Sequence, residues 1–393
     1  MPRRKIPAPA LAAAVVCAAL NTAAPQKLPA EPLASPSWGF RIDLPEDYDY
    51  VAGDGRDKFS FRTPEGAYFE LAVYHPAGQT SYSGLEALAA DVNRRLNNRG
   101  ETSVFDYRNR KAIILELDFS APARNGPGAP SSGWGLCMEL ETLAEGTPMI
   151  LALAFGAAGR EDLQILHLSA LDSLSPREED RLYPGPVTEF AYPRGKRIRV
   201  SPAGTDFEAY IHEKDPEAAQ ALVDREFETL RRQADSPRWQ QAWIRFYRAV
   251  HRDSYSRLGE IAAVLKRRWF QTGDAAAFAA RTLEWTQSFA YERNFLGSDF
   301  VNPVSAALEG RGDCDSRAML WAIILEQANI PAAIMVSAHY GHAMGLADLA
   351  GAGARFDWAG RQWLVAETTA KTTLGLIGQN VSDPAYWLGV VFQ

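Results

Sequence analysis

Between Trp38 and Gly156 the chain is dominated by short runs in which apolar and polar residues alternate: FRIDL, KFSFRT, AYFELAVYH, KAIILELDF, GWGLCMELET and MILALAFG. Side chains alternate across a strand, so such runs bury one face and wet the other, the habit of antiparallel sheets. Helical spacing appears at Leu85 to Asn97 and again from Arg160 to about Leu174. Together these predict an α+β domain over residues 37–176, an antiparallel sheet with helices packed on it. The segment ARNGPGAPSSG, residues 123–133, reads as a loop between two strands. Cys137 lies inside an alternating run, which makes it a small core hydrophobe.

The first 24 residues have a different character. Arg3, Arg4 and Lys5 precede an alanine-rich apolar run from Leu11 to Leu20, followed by the small residues Asn21, Thr22, Ala23 and Ala24. This is the layout of an export signal, with an apolar core too short to cross a bilayer as a mature helix. The expectation is an exported protein, periplasmic or extracellular, with contact to a membrane only if Cys17 carries a lipid anchor. Residues 25–36, PQKLPAEPLASP, read as a proline-rich linker. With 47% hydrophobic and 23% charged residues, the remainder is globular material and excludes a disordered tether. The formal net charge of −7 gives no electrostatic reason to bind nucleic acid.

A second region, residues 185–393, begins with RIRV and FEAYIHE, which can pair as strands. Helices are expected from Asp215-Pro216 and Ser236-Pro237, each with a capping side chain before a proline at the first helical position, then near Ser256 to Phe270 and Asp274 to Tyr291. Trp239, Trp243 and Phe246 share a helical stripe and read as core. Lys266, Arg267 and Arg268 read as a solvated face. No phosphate-binding loop, dinucleotide fingerprint or metal-ligand spacing is present, so no cofactor and no metal are expected.

The chemistry concentrates in GRGDCDSRAMLWAIILEQ, residues 310–327. Arg311-Gly312-Asp313 spells an adhesion tripeptide, yet such tripeptides act from exposed loop tips, and here Asp313 falls at the start of an apolar helix. Gly310 and Gly312 allow a tight turn, Asp313 and Asp315 cap, and one helix face is apolar from Ala318 to Leu325. Cys314 therefore sits at a helix N-terminus, whose dipole favours thiolate over thiol. Downstream, AAIMVSA, HAMGLADL and RQWLVAE read as successive strands, bringing His342 and Glu367 onto neighbours in one sheet. A helix-borne cysteine, a strand-borne histidine and an acid on the next strand form a nucleophile, base and orienting group. His339 is a rival base, and Asp348 a rival acid placed too far along its strand. His75, His167, His212 and His251 read as structural. Cys314 could alternatively be a structural thiol or pair with Cys137.

This region resembles the transglutaminase-like superfamily, through WTQSFAY and PVSAALEG ahead of GRGDCDSRAML, then Ile330-Pro331, GHA at 341–343 and WLVAETT at 363–369. The resemblance covers roughly residues 283–375 as a core and implies a papain-like fold with Cys314 as nucleophile, His342 as base and Glu367 as orienting acid. Many members carry aspartate at the last position. An oxyanion would be met by the Cys314 N–H and by a second donor, with Gln287, Tyr291 and Asn302 as candidates. The order of elements in the first region resembles PsbP/Mog1-like sandwiches. The function expected is that of a cysteine enzyme cleaving or transferring amide groups of a protein or peptide substrate through a thioester, hydrolysis preferred. The alternative is a binding or scaffolding module of the cell envelope that keeps the fold without turnover.

Overall fold

The computed structural model describes residues 32–78, 80–121, 128–292 and 300–392. Residues 1–24, which were expected to be an export signal, Cys17 among them, and residues 25–31 of the proline-rich stretch lie outside the described residues. The chain divides into two compact units, Met1–Asp180 and Arg181–Gln393.

In the first unit the strands are β1 (Asp49–Gly53), β2 (Lys58–Arg62), β3 (Tyr68–Tyr74), β4 (Thr102–Tyr107), β5 (Arg110–Ala121), β6 (Ala129–Glu139) and β7 (Met149–Ala157). They form one seven-stranded sheet in the order β1-β2-β3-β7-β6-β5-β4, with every neighbouring pair antiparallel. Helix α1 (Leu85–Leu96) buries Leu85, Leu88, Ala89 and Val92 against one sheet face, where Ile113, Leu115, Leu117 and Cys137 meet them. Helix α2 (Gln164–Asp172) follows a 3-10 turn at Glu161–Leu163 and packs on β6 and β7.

Several local expectations change. β1 and β4 join the sheet although neither has a strong apolar alternation; both lie at its edges, where one neighbour is missing. Of FRIDL only Arg41–Ile42 is a strand, and it pairs with Leu33–Ala34 instead of the main sheet. The end of the proline-rich linker is thus part of the folded unit. β6 begins at Ala129 inside the expected loop, because the long β5 supplies partners as far as Ala121.

The second unit starts with a two-stranded ladder, β8 (Arg197–Val200) and β9 (Ala209–His212), and continues through α3 (Asp215–Arg231), α4 (Trp239–Arg257), α5 (Gly259–Trp269) and α6 (Ala275–Gln287). Asp215 does not cap α3. Its carboxylate accepts the His212 N–H at 2.8 Å and a buried Arg257 N–H at 2.6 Å, while Lys214 occupies the cap position. Ser236 likewise bonds the Arg238 N–H, and α4 opens at Trp239.

A short strand β10 (Ala290–Tyr291) lies parallel to β11 (Arg311–Gly312), with α7 (Pro303–Glu309) between them in sequence. Helix α8 (Cys314–Gln327) follows, then β12 (Ala332–Ser337), β13 (His342–Ala347), β14 (Arg355–Trp358), β15 (Arg361–Ala366) and β16 (Leu388–Val390). These form an antiparallel five-stranded sheet in the order β14-β15-β13-β12-β16.

α8 was expected to bury one face. Instead every residue from Ser316 to Leu325 is buried, because α4 to α7 pack around it and the sheet closes the remaining side. The opposite sheet face is covered by a separate apolar group that includes Met344, Leu346, Trp363 and Trp387. Lys266, Arg267 and Arg268 lie in the last turn of α5, where positive charge complements the helix dipole.

Candidate active site

The approach to Cys314 is set by two glycines. Gly310 has φ +63 and Gly312 φ +145, backbone that L side chains rarely adopt, and a Cβ on Gly312 would lie 2.7 Å from the Ser316 Cβ. Asp313 then caps α8, its Oδ1 accepting the Ser316 N–H at 2.8 Å and the Ser316 hydroxyl at 2.6 Å. With Asp313 buried and so engaged, the adhesion tripeptide is not displayed; Arg311 pairs with Glu292 and Glu309. The first turn is clamped by Arg317, a buried guanidinium that donates to Gly312 O at 3.1 Å and Phe289 O at 2.9 Å.

One turn further on, Trp321 donates its indole N–H to Ala279 O at 3.1 Å and packs against β13 at Gly345. Only glycine fits opposite it: a Cβ on Gly345 would meet Trp321 Cε3 at 2.5 Å. That close approach draws β13, and with it His342, onto the helix carrying Cys314. The thiol donates to Asp315 Oδ2 at 3.5 Å, and the Ala343 backbone N–H is near enough to favour the ionised sulfur. Cys314 and the backbone next to His342 are thus neighbours across the helix-sheet junction.

β13 and β15 pair through Gly345 and Ala366, which leaves Glu367 just beyond the strand end. His342 Nε2 is 2.8 Å from Glu367 Oε2. The other oxygen, Oε1, accepts the Thr369 N–H at 2.7 Å and the Thr369 hydroxyl at 2.5 Å. Burial works against the charged carboxylate, but the bonds from His342 and Thr369 outweigh it and hold Glu367 at about 2. It stays ionised at any physiological pH.

The sulfur behaves otherwise. Its residue is 4% exposed; burial first, then the negative charges of Asp315 and Asp313, push the thiol well above its ordinary value. The Ala343 N–H pulls the other way and is outweighed. The helix N-terminus was expected to favour thiolate; the two flanking carboxylates and the loss of water prevail over that dipole. Asp315, expected to cap, instead accepts the hydroxyl of Tyr247 on α4. Tyr247 is itself held protonated, chiefly by burial and then by Asp315.

The three oxyanion candidates have other engagements. Gln287 gives both amide hydrogens to backbone, to Glu367 O at 2.8 Å and Thr372 O at 2.9 Å, so it braces the acid's loop. Asn302 caps α7 and donates to Pro216 O, Gln220 Oε1 and Ser305 Oγ. Tyr291 is half exposed on β10, its ring 5.5 Å from the Arg317 guanidinium carbon.

The rival groups are also accounted for. His339 is exposed and stacks on Tyr386 at 4.0 Å between ring centres. Asp348 pairs with Arg361 at 2.7 Å. His75 meets Glu145 at 3.3 Å, His212 meets Gly195 O at 3.3 Å, and His251 pairs with Glu326. Cys137 and Cys314 are both free thiols, and Cys137 is sealed in the first unit's core, where burial pushes it to about 12. Sequence reading passed over Arg317 and Tyr247. The first is visible only as a polar letter in an apolar helix, and the second is 68 residues from its partner. Among the described residues no cluster of ligand side chains could hold a metal ion, and no helix is long and apolar enough to cross a membrane.

No protein-family model matches the chain, and no curated protein matches it. Among solved structures, one from Bacteroides thetaiotaomicron VPI-5482 is similar with a TM-score of 0.26 and 16% identity, over 61% of this chain and 79% of its own. The solution structure of cyanobacterial PsbP (CyanoP) from Synechocystis sp. PCC 6803 is similar with a TM-score of 0.27 and 12% identity, over 40% of this chain and 98% of its own. At these TM-scores neither likeness carries an argument about this chain.

Proposed function

We infer that the second unit is a transglutaminase-like cysteine enzyme that attacks amide bonds of proteins or peptides through Cys314, with His342 as base and Glu367 as orienting acid. The observation that carries this reading is the 2.8 Å bond from His342 Nε2 to Glu367, which leaves Nδ1 as the ring nitrogen not engaged by the acid. It is supported by the Ala343 N–H at the sulfur, one residue along the same strand.

Because the thiol rests protonated, the reaction starts with general-base catalysis instead of a stored thiolate. The sulfur attacks the amide carbon as imidazole takes the thiol proton, forming a C–S bond and an oxyanion. Collapse expels the amine, which leaves with the proton from the imidazolium, and a thioester remains. Water attacks the thioester with imidazole again as base, and a carboxylic acid and the thiol are released. Glu367 keeps its charge throughout and stabilises the imidazolium. Hydrolysis is preferred over transfer because water needs no second binding surface.

The test is to incubate the full chain with unstructured peptides and follow new carboxyl products by mass spectrometry, with hydroxylamine present to trap the thioester. Products and trapped hydroxamate are expected from the wild type and absent from Cys314→Ala; equal products from both would end the enzymatic reading. The burial of the sulfur and its acidic flanks favour a second reading, a binding or scaffolding module without turnover. That reading requires biological activity to survive Cys314→Ala. Export rests on the leader at residues 1–24, and N-terminal sequencing of secreted material is expected to find it removed.

A further inference from the structure

In the first unit the sheet face beneath α1 is not filled out to its edge. Alternation along β3 puts Tyr68, Glu70, Ala72 and Tyr74 on this face, and the register sets Glu70 between Ser60 of β2 and Leu153 of β7. Ser60 and Ala72 are too short to reach Val92 and Leu96 on the last turns of α1. A cavity of about 160 Å³ remains, closed at its inner end by Phe119, Leu151 and Phe155.

Most of its wall is aliphatic or aromatic, yet it contains the side chain of Glu70. That residue is 8% exposed, and its carboxyl makes no hydrogen bond or ion pair among the described residues. A carboxyl held this far out of water without a partner is a cost to the fold, not a source of its stability. The ionic groups on α1 that face the cavity are committed to each other. Asp91 on α1 accepts the Tyr82 hydroxyl at 2.7 Å and Arg95 at 2.6 Å, and Arg94 as well. Lys58 of β2 is exposed at the rim, Tyr74 packs edge-on to Tyr82, and β7 and β5 contribute only apolar side chains.

We propose that this cavity is a binding site for a small primary ammonium compound with a compact apolar body, its charged nitrogen paired with Glu70. An anion is disfavoured, because Arg95 is already neutralised by Asp91, Lys58 stands exposed at the rim, and the buried charged side chain without a partner is acidic. A neutral donor would give Glu70 a hydrogen bond but not the charge that lets it ionise in apolar surroundings, whereas an ammonium supplies both. The size fits a body of one ring, since a cavity of about 150 Å³ holds benzene. With the cavity empty, burial pushes the Glu70 carboxyl up to about 8, so ammonium binding near neutral pH releases a proton. Affinity then rises as pH increases toward 8 and levels off above it.

Titration calorimetry on the full chain with benzylammonium, using benzyl alcohol and benzoate as shape-matched controls, tests the assignment. Benzylammonium is expected to bind saturably, tightening several-fold and up to about tenfold between pH 6.5 and 7.5 with proton release. Both controls should bind at least about tenfold more weakly. Glu70→Gln should lose binding by a similar factor while melting no lower than the wild type, since it replaces a protonated, unpaired carboxyl with a neutral group of the same shape. Ala72→Leu, which fills the cavity and leaves Glu70 in place, should also abolish binding. Equal affinity for benzyl alcohol, no saturable binding of benzylammonium, unchanged binding by either variant, or a Glu70→Gln protein that melts far below the wild type would each overturn the proposal.

Discussion

His342 and Glu367 are joined by a 2.8 Å bond between Nε2 and Oε2, and Thr369 occupies the acid's other oxygen through its N–H at 2.7 Å. Both oxygens are therefore fixed, and the ring can turn only by giving up a charge-assisted bond. Glu367→Gln keeps the shape but can present its amide N–H where the imidazole requires an acceptor, which spoils the tautomer. A fall in kcat/KM of about 10²–10⁴-fold is expected with peptide substrate. Glu367→Asp, one methylene short, should fall between this variant and wild type. An undiminished kcat/KM in Glu367→Gln would remove the acid from the mechanism.

Cys314 is expected to be a slow resting nucleophile. Burial, Asp315 and Asp313 keep the thiol protonated near neutral pH, so alkylation by iodoacetamide should lag behind a free thiol of ordinary pKa. Asp315→Asn removes the larger of the two charge effects, and the pH at which alkylation reaches half its maximum should move down. Tyr247→Phe, which takes the hydroxyl from Asp315, should move it up, because the carboxylate's charge is then less shared. A pH profile identical in all three proteins would show that these side chains do not govern the sulfur.

The antiparallel sheet of the first unit was legible because side-chain alternation is a local signal, repeated strand after strand. Edge strands such as Thr102–Tyr107 were not, since half of their partners are water and the sequence carries no apolar face to read. At the site, the helix start at Cys314 and the strand carrying His342 could be read from glycines, cap and alternation. What could not be read was the packing around them. An α8 enclosed on all sides shows no amphipathic stripe, and burial of the sulfur between Asp313, Asp315 and Ala343 depends on elements far apart in sequence. The engagement of Gln287 could not be read for the same reason: the carbonyls it meets lie 80 and 85 residues away.

Gln287 gives a further prediction. Its two hydrogen bonds tie the C-terminal end of α6 to the carbonyls of Glu367 and Thr372, on either side of the loop that presents the acid. Gln287→Ala leaves one buried and one partly buried acceptor unpaired, and a loss of about 1–3 kcal/mol in urea unfolding of the second unit is expected. Because the loop loosens, kcat should drop more than KM rises. Gln287→Asn, too short to span both carbonyls, should recover at most part of the loss, whereas full recovery would make the residue a simple space-filler.

Two buried groups in the first unit give its stability an unusual dependence on pH. Burial lowers His167 to about 4 from 6.5, so between those values the unfolded chain holds a proton that the folded one lacks. Stability from this group is complete above 6.5 and is lost as pH falls toward 4, by about 3 kcal/mol in all. Burial raises Glu70 to about 8 from 4.5, so the folded chain holds the extra proton, and stability is lost as pH rises through that window, by about 5 kcal/mol. From 4.5 to 6.5 the two slopes are equal and opposite and cancel. From 6.5 to 8 only Glu70 acts, and stability should fall by about 2 kcal/mol. In Glu70→Gln the same measurement should instead rise from pH 4 to 6.5 and then stay flat, since His167 alone remains. Hydrogen exchange at the central strands β3 and β7, corrected for the intrinsic pH dependence of exchange, reads the opening free energy of this unit directly. The difference between the wild type and Glu70→Gln cancels every other titrating group. A difference that does not grow between pH 6.5 and 8 would mean that Glu70 is not buried without a partner.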